Sequence, residues 1–134
     1  MKIVVDTYAW IEIFLGSGKG NKAREILAEA REVYTPDIVL AEVARKYFRE
    51  RVEPQVVLDR LKKITEASDV TSISVEVAVE SAKCFVELSE RTETASLFDA
   101  MVLAVARVLE AKVVTGDKHF RNLPETLWIG ESLS

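Results

Sequence analysis

Apolar and polar positions follow two rhythms along this chain, and the switches between them mark its elements. The run Ile3-Val4-Val5, closed by Asp6, has no polar alternation, so Lys2 to Val5 predicts a short strand buried on both faces. Thr7 to Leu15 reads as a helix, and the glycines of Gly16-Ser17-Gly18-Lys19-Gly20 predict a loop. Asn21 caps a second predicted helix to Ala30, with Ala23, Ile26, Leu27 and Ala30 on one face. Val33-Tyr34 is a second strand. Thr35-Pro36 predicts the cap and first-turn proline of a third helix, Asp37 to Glu50.

Glu53-Pro54 opens a fourth helix with Val57, Leu58, Leu61 and Ile64 at helical spacing. Val70 to Ile73 reads as the third strand, Ser74 to Glu90 as the fifth helix, and Arg91 to Ala95 as a polar loop. Ser96 caps a strongly apolar sixth helix that ends near Glu110. Lys112 to Thr115 is the fourth strand, turned by Gly116-Asp117, and Leu127 to Ile129 is the fifth. Strands alternating with helices require a parallel sheet covered on both faces. The expected fold is α/β, a three-layer α/β/α sandwich around a mainly parallel sheet, in one domain spanning residues 1–134.

Composition narrows this picture. With 49% apolar and 30% charged residues, the chain has the make-up of a folded globular domain and not of a disordered one. No apolar run approaches the roughly 20 residues needed to span a bilayer, and the N-terminus reads as a strand, not a signal peptide. The lone Cys84 excludes an internal disulfide. These features place the expected site of action in the cytoplasm. A net charge of −4 argues against indiscriminate coating of nucleic acid, yet permits an enzyme that meets RNA through bound cations.

Topology gathers the candidate chemistry. Ligands of parallel sheets sit outside the carboxyl ends of the strands. Asp6 closes the first strand and Asp117 follows the fourth. Glu42 lies early in the helix leaving the second strand. Asp99 lies in the first turn of the helix feeding the fourth strand, which runs antiparallel to that strand and so starts at the same edge. Four converging carboxylates repel one another unless a hard cation neutralises them. Magnesium or manganese suits such an all-oxygen site. No Ser-His-Asp or Cys-His pairing competes, since His119 is the only histidine, and there is no GxxxxGK phosphate loop.

Each acid also has a plain structural reading. Asp6 is a suitable helix N-cap, and Asp99 completes the capping-box pattern Ser96-Leu97-Phe98-Asp99. Glu42 fits a solvated helix face, and Asp117 after glycine fits a turn. The coincidence of all four at one edge favours function. Cys84 reads as core packing, and Trp10, Phe14 and Trp128 as packing before base stacking. His119, between Lys118 and Arg121, reads as a surface residue, with phosphate contact as the sharper alternative. The basic stretch Arg45, Lys46, Arg49 and Arg51 reads as a solvated face or, more sharply, as a strip guiding RNA.

At these residues the chain resembles PIN-domain proteins, in particular the VapC-type toxins of prokaryotic toxin–antitoxin pairs. The resemblance runs through Val4-Val5-Asp6-Thr7, Pro36-Asp37-Ile38-Val39-Leu40-Ala41-Glu42-Val43, Leu97-Phe98-Asp99-Ala100-Met101-Val102-Leu103-Ala104 and Val113-Val114-Thr115-Gly116-Asp117-Lys118-His119-Phe120. It implies an acidic quartet, Asp6, Glu42, Asp99 and Asp117, binding one or two magnesium or manganese ions and cutting single-stranded RNA. It implies supporting roles for Thr7 and Thr115, a homodimer, and an antitoxin that inserts a segment into the groove. Arg45, Lys46, Lys118 and His119 are the candidate RNA contacts. Three readings compete: a phosphotransferase using Asp6 as nucleophile, a non-catalytic PIN-fold binding module, and a housekeeping RNA-processing nuclease. The first is disfavoured because Tyr8 stands where haloacid-dehalogenase-like enzymes place a second Asp.

Overall fold

The computed structural model describes residues 1–131; the last three positions of the expected 1–134 domain lie outside the described residues. Five strands, β1 (Lys2–Val5), β2 (Glu32–Pro36), β3 (Asp69–Thr71), β4 (Lys112–Thr115) and β5 (Thr126–Trp128), form one sheet in the order β3-β2-β1-β4-β5. Every neighbouring pair is parallel. Six helices flank the sheet: α1 (Thr7–Leu15), α2 (Gly18–Glu29), α3 (Asp37–Arg49), α4 (Pro54–Ala67), α5 (Val75–Arg91) and α6 (Leu97–Leu109). The expected α/β sandwich is the architecture observed.

The middle of the sheet explains its sequence. β1 lies between β2 and β4, and Ile3, Val4 and Val5 are each 0% exposed, so a polar residue at any of them would lose water without a partner. α6 is apolar around much of its circumference because it packs on both the sheet and α5; Ala100 and Val102 to Ala106 are all buried. α5 meets it with Val77, Ser81, Cys84 and Leu88, spaced along one helical stripe. Arg107 ties this pair together at its outer edge, donating to both carboxylate oxygens of Glu87 at 2.7 and 2.9 Å.

Four local expectations are corrected. α2 starts at Gly18, capped by the Ser17 hydroxyl, which accepts from the Gly20 N–H at 3.0 Å; Asn21 lies inside the helix. A Cβ at Gly20 would stand 2.0 Å from the Glu12 carbonyl oxygen, so this glycine lets the start of α2 press against α1. Thr35 and Pro36 belong to β2; Pro36 stands at the N-cap position of α3 rather than in its first turn, and no side chain caps that helix. The Thr35 hydroxyl is engaged instead by the Trp10 indole N–H at 3.2 Å and by Ser68 at 2.7 Å, contacts invisible to local pattern. β3 sits one residue earlier than expected and is shorter, and β5 covers Thr126–Trp128 where Leu127 to Ile129 was expected. No described helix is long and apolar enough to cross a membrane.

Candidate active site

The chain winds outwards from β1 in both directions: through β2 to β3 on one side, and to β4 and β5 on the other. The point where the winding reverses, between β1 and β4, opens a crevice at the carboxyl ends of these strands. Asp6 enters it directly from β1. Its Oδ1 accepts from the Ala9 N–H at 3.0 Å and so caps α1, and its Oδ2 accepts from the Thr115 hydroxyl at 2.5 Å. That pairing follows from register, because Val5 lies opposite Val114 and the next residues along, Asp6 and Thr115, face each other across the strand ends. The same hydroxyl accepts the Asp117 N–H at 2.9 Å, so one threonine orients two acids.

Asp99 arrives from the other layer. It sits in the first turn of α6, closing a capping box: its N–H donates to the Ser96 hydroxyl at 3.1 Å, and its Oδ2 accepts the Ser96 N–H at 3.2 Å. The capping reading and the site reading of this residue are thus compatible. Asp117 caps a short 3₁₀ turn, Lys118–Phe120, through the His119 N–H at 2.9 Å. That turn folds the His119 ring back into the crevice. Its Nδ1 lies 2.7 Å from Asp117 Oδ1 and 3.5 Å from Asp99 Oδ2, and its Nε2 lies 2.8 Å from the Thr94 hydroxyl.

Electrostatics make the cluster unusual. Burial foremost pushes the Asp6 carboxyl up to about 7; the bonds from Thr115 and Ala9 oppose this, and the charges of Asp117 and Asp99 add to it. Burial likewise raises Asp99, countered by the Ser96 backbone N–H. Acids held in this way gain from a cation between them. One ligand atom each from Asp99, Asp117 and His119 already lie within 4.8 Å of one another. The buried Thr7 hydroxyl beside Asp6 has no hydrogen-bond partner among the described residues. A donor set dominated by carboxylate oxygens, with one imidazole, fits a divalent cation of the magnesium or manganese kind.

The predicted residues therefore divide. Asp6, Asp99, Asp117 and Thr115 are brought together, with Thr7 next to them in the chain. Glu42 makes no hydrogen bond to them among the described residues; it is paired to Arg45 at 3.5 Å and lines a groove with Ile38, Ala41 and Phe98, the chain neighbour of Asp99. Lys46 is half-buried, whereas Arg45 and Lys118 are exposed. His119 is not the surface residue the plain reading made it, because the Asp117-Lys118-His119 spacing lets the acid cap the turn that buries the ring. Sequence reasoning also passed over Asp37, just past the end of β2, whose buried Oδ1 lacks a partner among the described residues. Roomier depressions exist, such as one of about 510 Å³ between Met1, Lys2, Arg31, Glu110 and Lys112, but it lies at the amino ends of β1 and β4, the edge opposite the acids.

Residues 3–125 match the PIN domain family. No curated protein matches the chain by sequence. Among solved structures, the chain is similar to a protein of a toxin–antitoxin complex from Klebsiella pneumoniae, at a TM-score of 0.72 and 23% identity over 97% of this chain and 99% of that one. It is similar to a chain of VapBC2 from Rickettsia felis bound to a promoter DNA fragment, at 0.74 and 18% over 98% and 100%. It is similar, too, to VapC20 of Mycobacterium tuberculosis, a Sarcin-Ricin loop cleaving toxin, at 0.70 and 21% over 88% and 92%.

Proposed function

The chain belongs to the PIN-domain family, and on that premise we propose that it is a magnesium- or manganese-dependent endoribonuclease that cuts single-stranded RNA as the toxin of a toxin–antitoxin pair. The observation that carries this reading is the convergence of Asp6, Asp99 and Asp117 at the switch point of the sheet, with Asp6 buried and its proton retained to about pH 7. A cation bound there would neutralise a phosphodiester and lower the pKa of a coordinated water. Asp6, Asp99 and Asp117 would hold it, and Glu42, in the groove beside Phe98, would be the fourth acid of the set. Thr115 fixes the orientation of Asp6 by donating to it, and Thr7 supports the same corner. Asp99 or Asp117 would orient the attacking water, and His119, bonded to Asp117, would contact a phosphate oxygen or pass a proton.

The solved complexes support an antitoxin partner, and Val75, Val79, Ala82 and Val86 give α5 an exposed apolar stripe at helical spacing suited to a second copy of the chain. Action on RNA and the reduced Cys84 suit the cytoplasm. The test is cleavage of a mixed-sequence single-stranded RNA with magnesium or manganese, with chelator, and with Asp99→Asn, which keeps a side-chain acceptor for the helix cap. Cutting should need metal and fall at least about 100-fold in the variant. Undiminished cutting by Asp99→Asn, or in chelator, refutes the site. No cutting by folded wild-type protein in any metal favours the non-catalytic binding module.

A further inference from the structure

On the β5 side of the crevice a cleft of about 220 Å³ opens between Tyr8, Gly116 and Trp128. It adjoins the acids through the chain itself, since Tyr8 lies two residues beyond Asp6 and Gly116 directly precedes Asp117. Gly116 is what lets the two sites meet. A Cβ there would stand 2.3 Å from the Tyr8 ring, so only glycine allows that ring to lie across the end of β4.

Three cations line this cleft, Lys19, Lys118 and Arg121, in a chain whose net charge is −4. Two of them are held in place. Lys19 is carried by the first turn of α2 and donates to the Tyr8 hydroxyl at 3.1 Å. The Arg121 guanidinium lies over the Trp128 ring, 5.1 Å from its centre, and the Trp128 indole N–H is fixed by the Glu131 carbonyl at 3.0 Å. The Arg121 Nε is buried and has no hydrogen-bond partner among the described residues. The one acid lining the cleft among the described residues, Glu131, reaches Lys19 at 3.9 Å from a side chain that is 90% exposed, where solvent screens its charge, so it offsets the three cations only weakly. An orphaned, pre-oriented Arg donor between two lysines is built for an anion with several oxygens, which a phosphate offers and a single carboxylate does so less fully.

We propose that this cleft binds the phosphate of the RNA nucleotide adjacent to the one that is cut, with Lys19 and Arg121 as its direct ligands and Lys118 at its mouth. The proposal rests on the nuclease reading for the identity of the strand. It supplies what the acidic rim lacks, a local attraction that draws a polyanion across a cluster of carboxylates. It also runs the strand towards β5, on the opposite side of β1 from the Arg45 and Lys46 face of α3.

The test is binding, read separately from cutting. A fluorescent single-stranded RNA is titrated with Asp99→Asn protein, so that the strand stays whole, in that background alone and with Lys19→Ala, Arg121→Ala, Arg121→Lys or, as a control on α4, Lys62→Ala. Arg121→Ala and Lys19→Ala should each weaken binding about tenfold. Each should also lower the slope of log Kd against log salt by about 0.7, the share of one single-strand phosphate contact. Arg121→Lys should recover the salt slope but only part of the affinity, and Lys62→Ala should change neither. Equal losses in all variants, no binding of RNA at all, or affinities unchanged within twofold overturn the proposal. So does a cleft variant that keeps RNA but loses an acidic peptide, which would assign the cleft to a protein partner. Binding with the expected pattern by a protein whose wild type cuts no RNA upholds the cleft and removes the nuclease reading.

Discussion

Replacing Asp6 by Asn tests the electrostatics of the acidic site without reference to catalysis. The unfolded chain releases the Asp6 proton near its ordinary value of 3.8, and the folded metal-free protein releases it at about 7. Between those values the folded state binds the extra proton, so stability is full below pH 4 and falls as pH rises through this window. At 1.36 kcal/mol per unit over about three units, the loss approaches 4 kcal/mol for wild type. Asn cannot ionise, so Asp6→Asn removes that loss. Its Oδ1 still accepts from Ala9, and its amide can donate to the Thr115 hydroxyl. In chelator at about pH 8 the variant should therefore be the more stable protein, by roughly 2–4 kcal/mol. The difference should shrink to within about 1 kcal/mol at pH 4. Urea unfolding across that range measures it directly. Adding magnesium at high pH should then raise the wild-type midpoint and move the variant far less, because the cation compensates the charge only where the charge exists. Parallel pH profiles for the two proteins in chelator would refute the claim that burial holds Asp6 protonated.

Two further substitutions probe the supports of the site. Thr115→Val removes the donor to Asp6 and the acceptor of the Asp117 N–H in one nearly isosteric change; it should destabilise by about 1–3 kcal/mol and weaken magnesium binding about tenfold, measured by calorimetry, and unchanged metal affinity would contradict the orienting role. Gly20→Ala drives a methyl into the Glu12 backbone, whereas a Cβ at Gly18 meets nothing within 4 Å; thermal unfolding should show a loss of about 3 kcal/mol for the first and none for Gly18→Ala, and equal effects would contradict the close approach of α1 and α2.

Much of this protein is local and could be read from its sequence. The unbroken apolar runs at Ile3 to Val5 and Val113-Val114 mark interior parallel strands, because a strand buried on both faces has no position where a polar side chain can reach water. The Ser96 to Asp99 spacing writes its own capping box, since cap and acceptor lie within one turn. The edge on which Asp6, Asp99 and Asp117 lie follows from the parallel sense of strands and helices alone. Where reading failed, a distant partner had overruled a local preference. Thr35 has the look of a helix cap, but Trp10 and Ser68 claim its hydroxyl. The glycines before Asn21 look like loop, yet Gly20 is glycine because of the Glu12 carbonyl. His119 looks like surface, but Thr94 and Asp99, around the start of α6, receive its ring.

Sequence by itself thus determined the elements, their parallel arrangement and the rim where the acids gather, because each rests on spacing within a few residues. Tertiary structure alone decided that β4 pairs with β1, and with it that Thr115 reaches Asp6 across 109 positions of chain. It decided that Glu42 pairs with Arg45 and that Tyr8, Lys19 and Arg121 share a cleft. Those facts depend on strand order and on close approach between segments far apart in the chain, and no local periodicity encodes either.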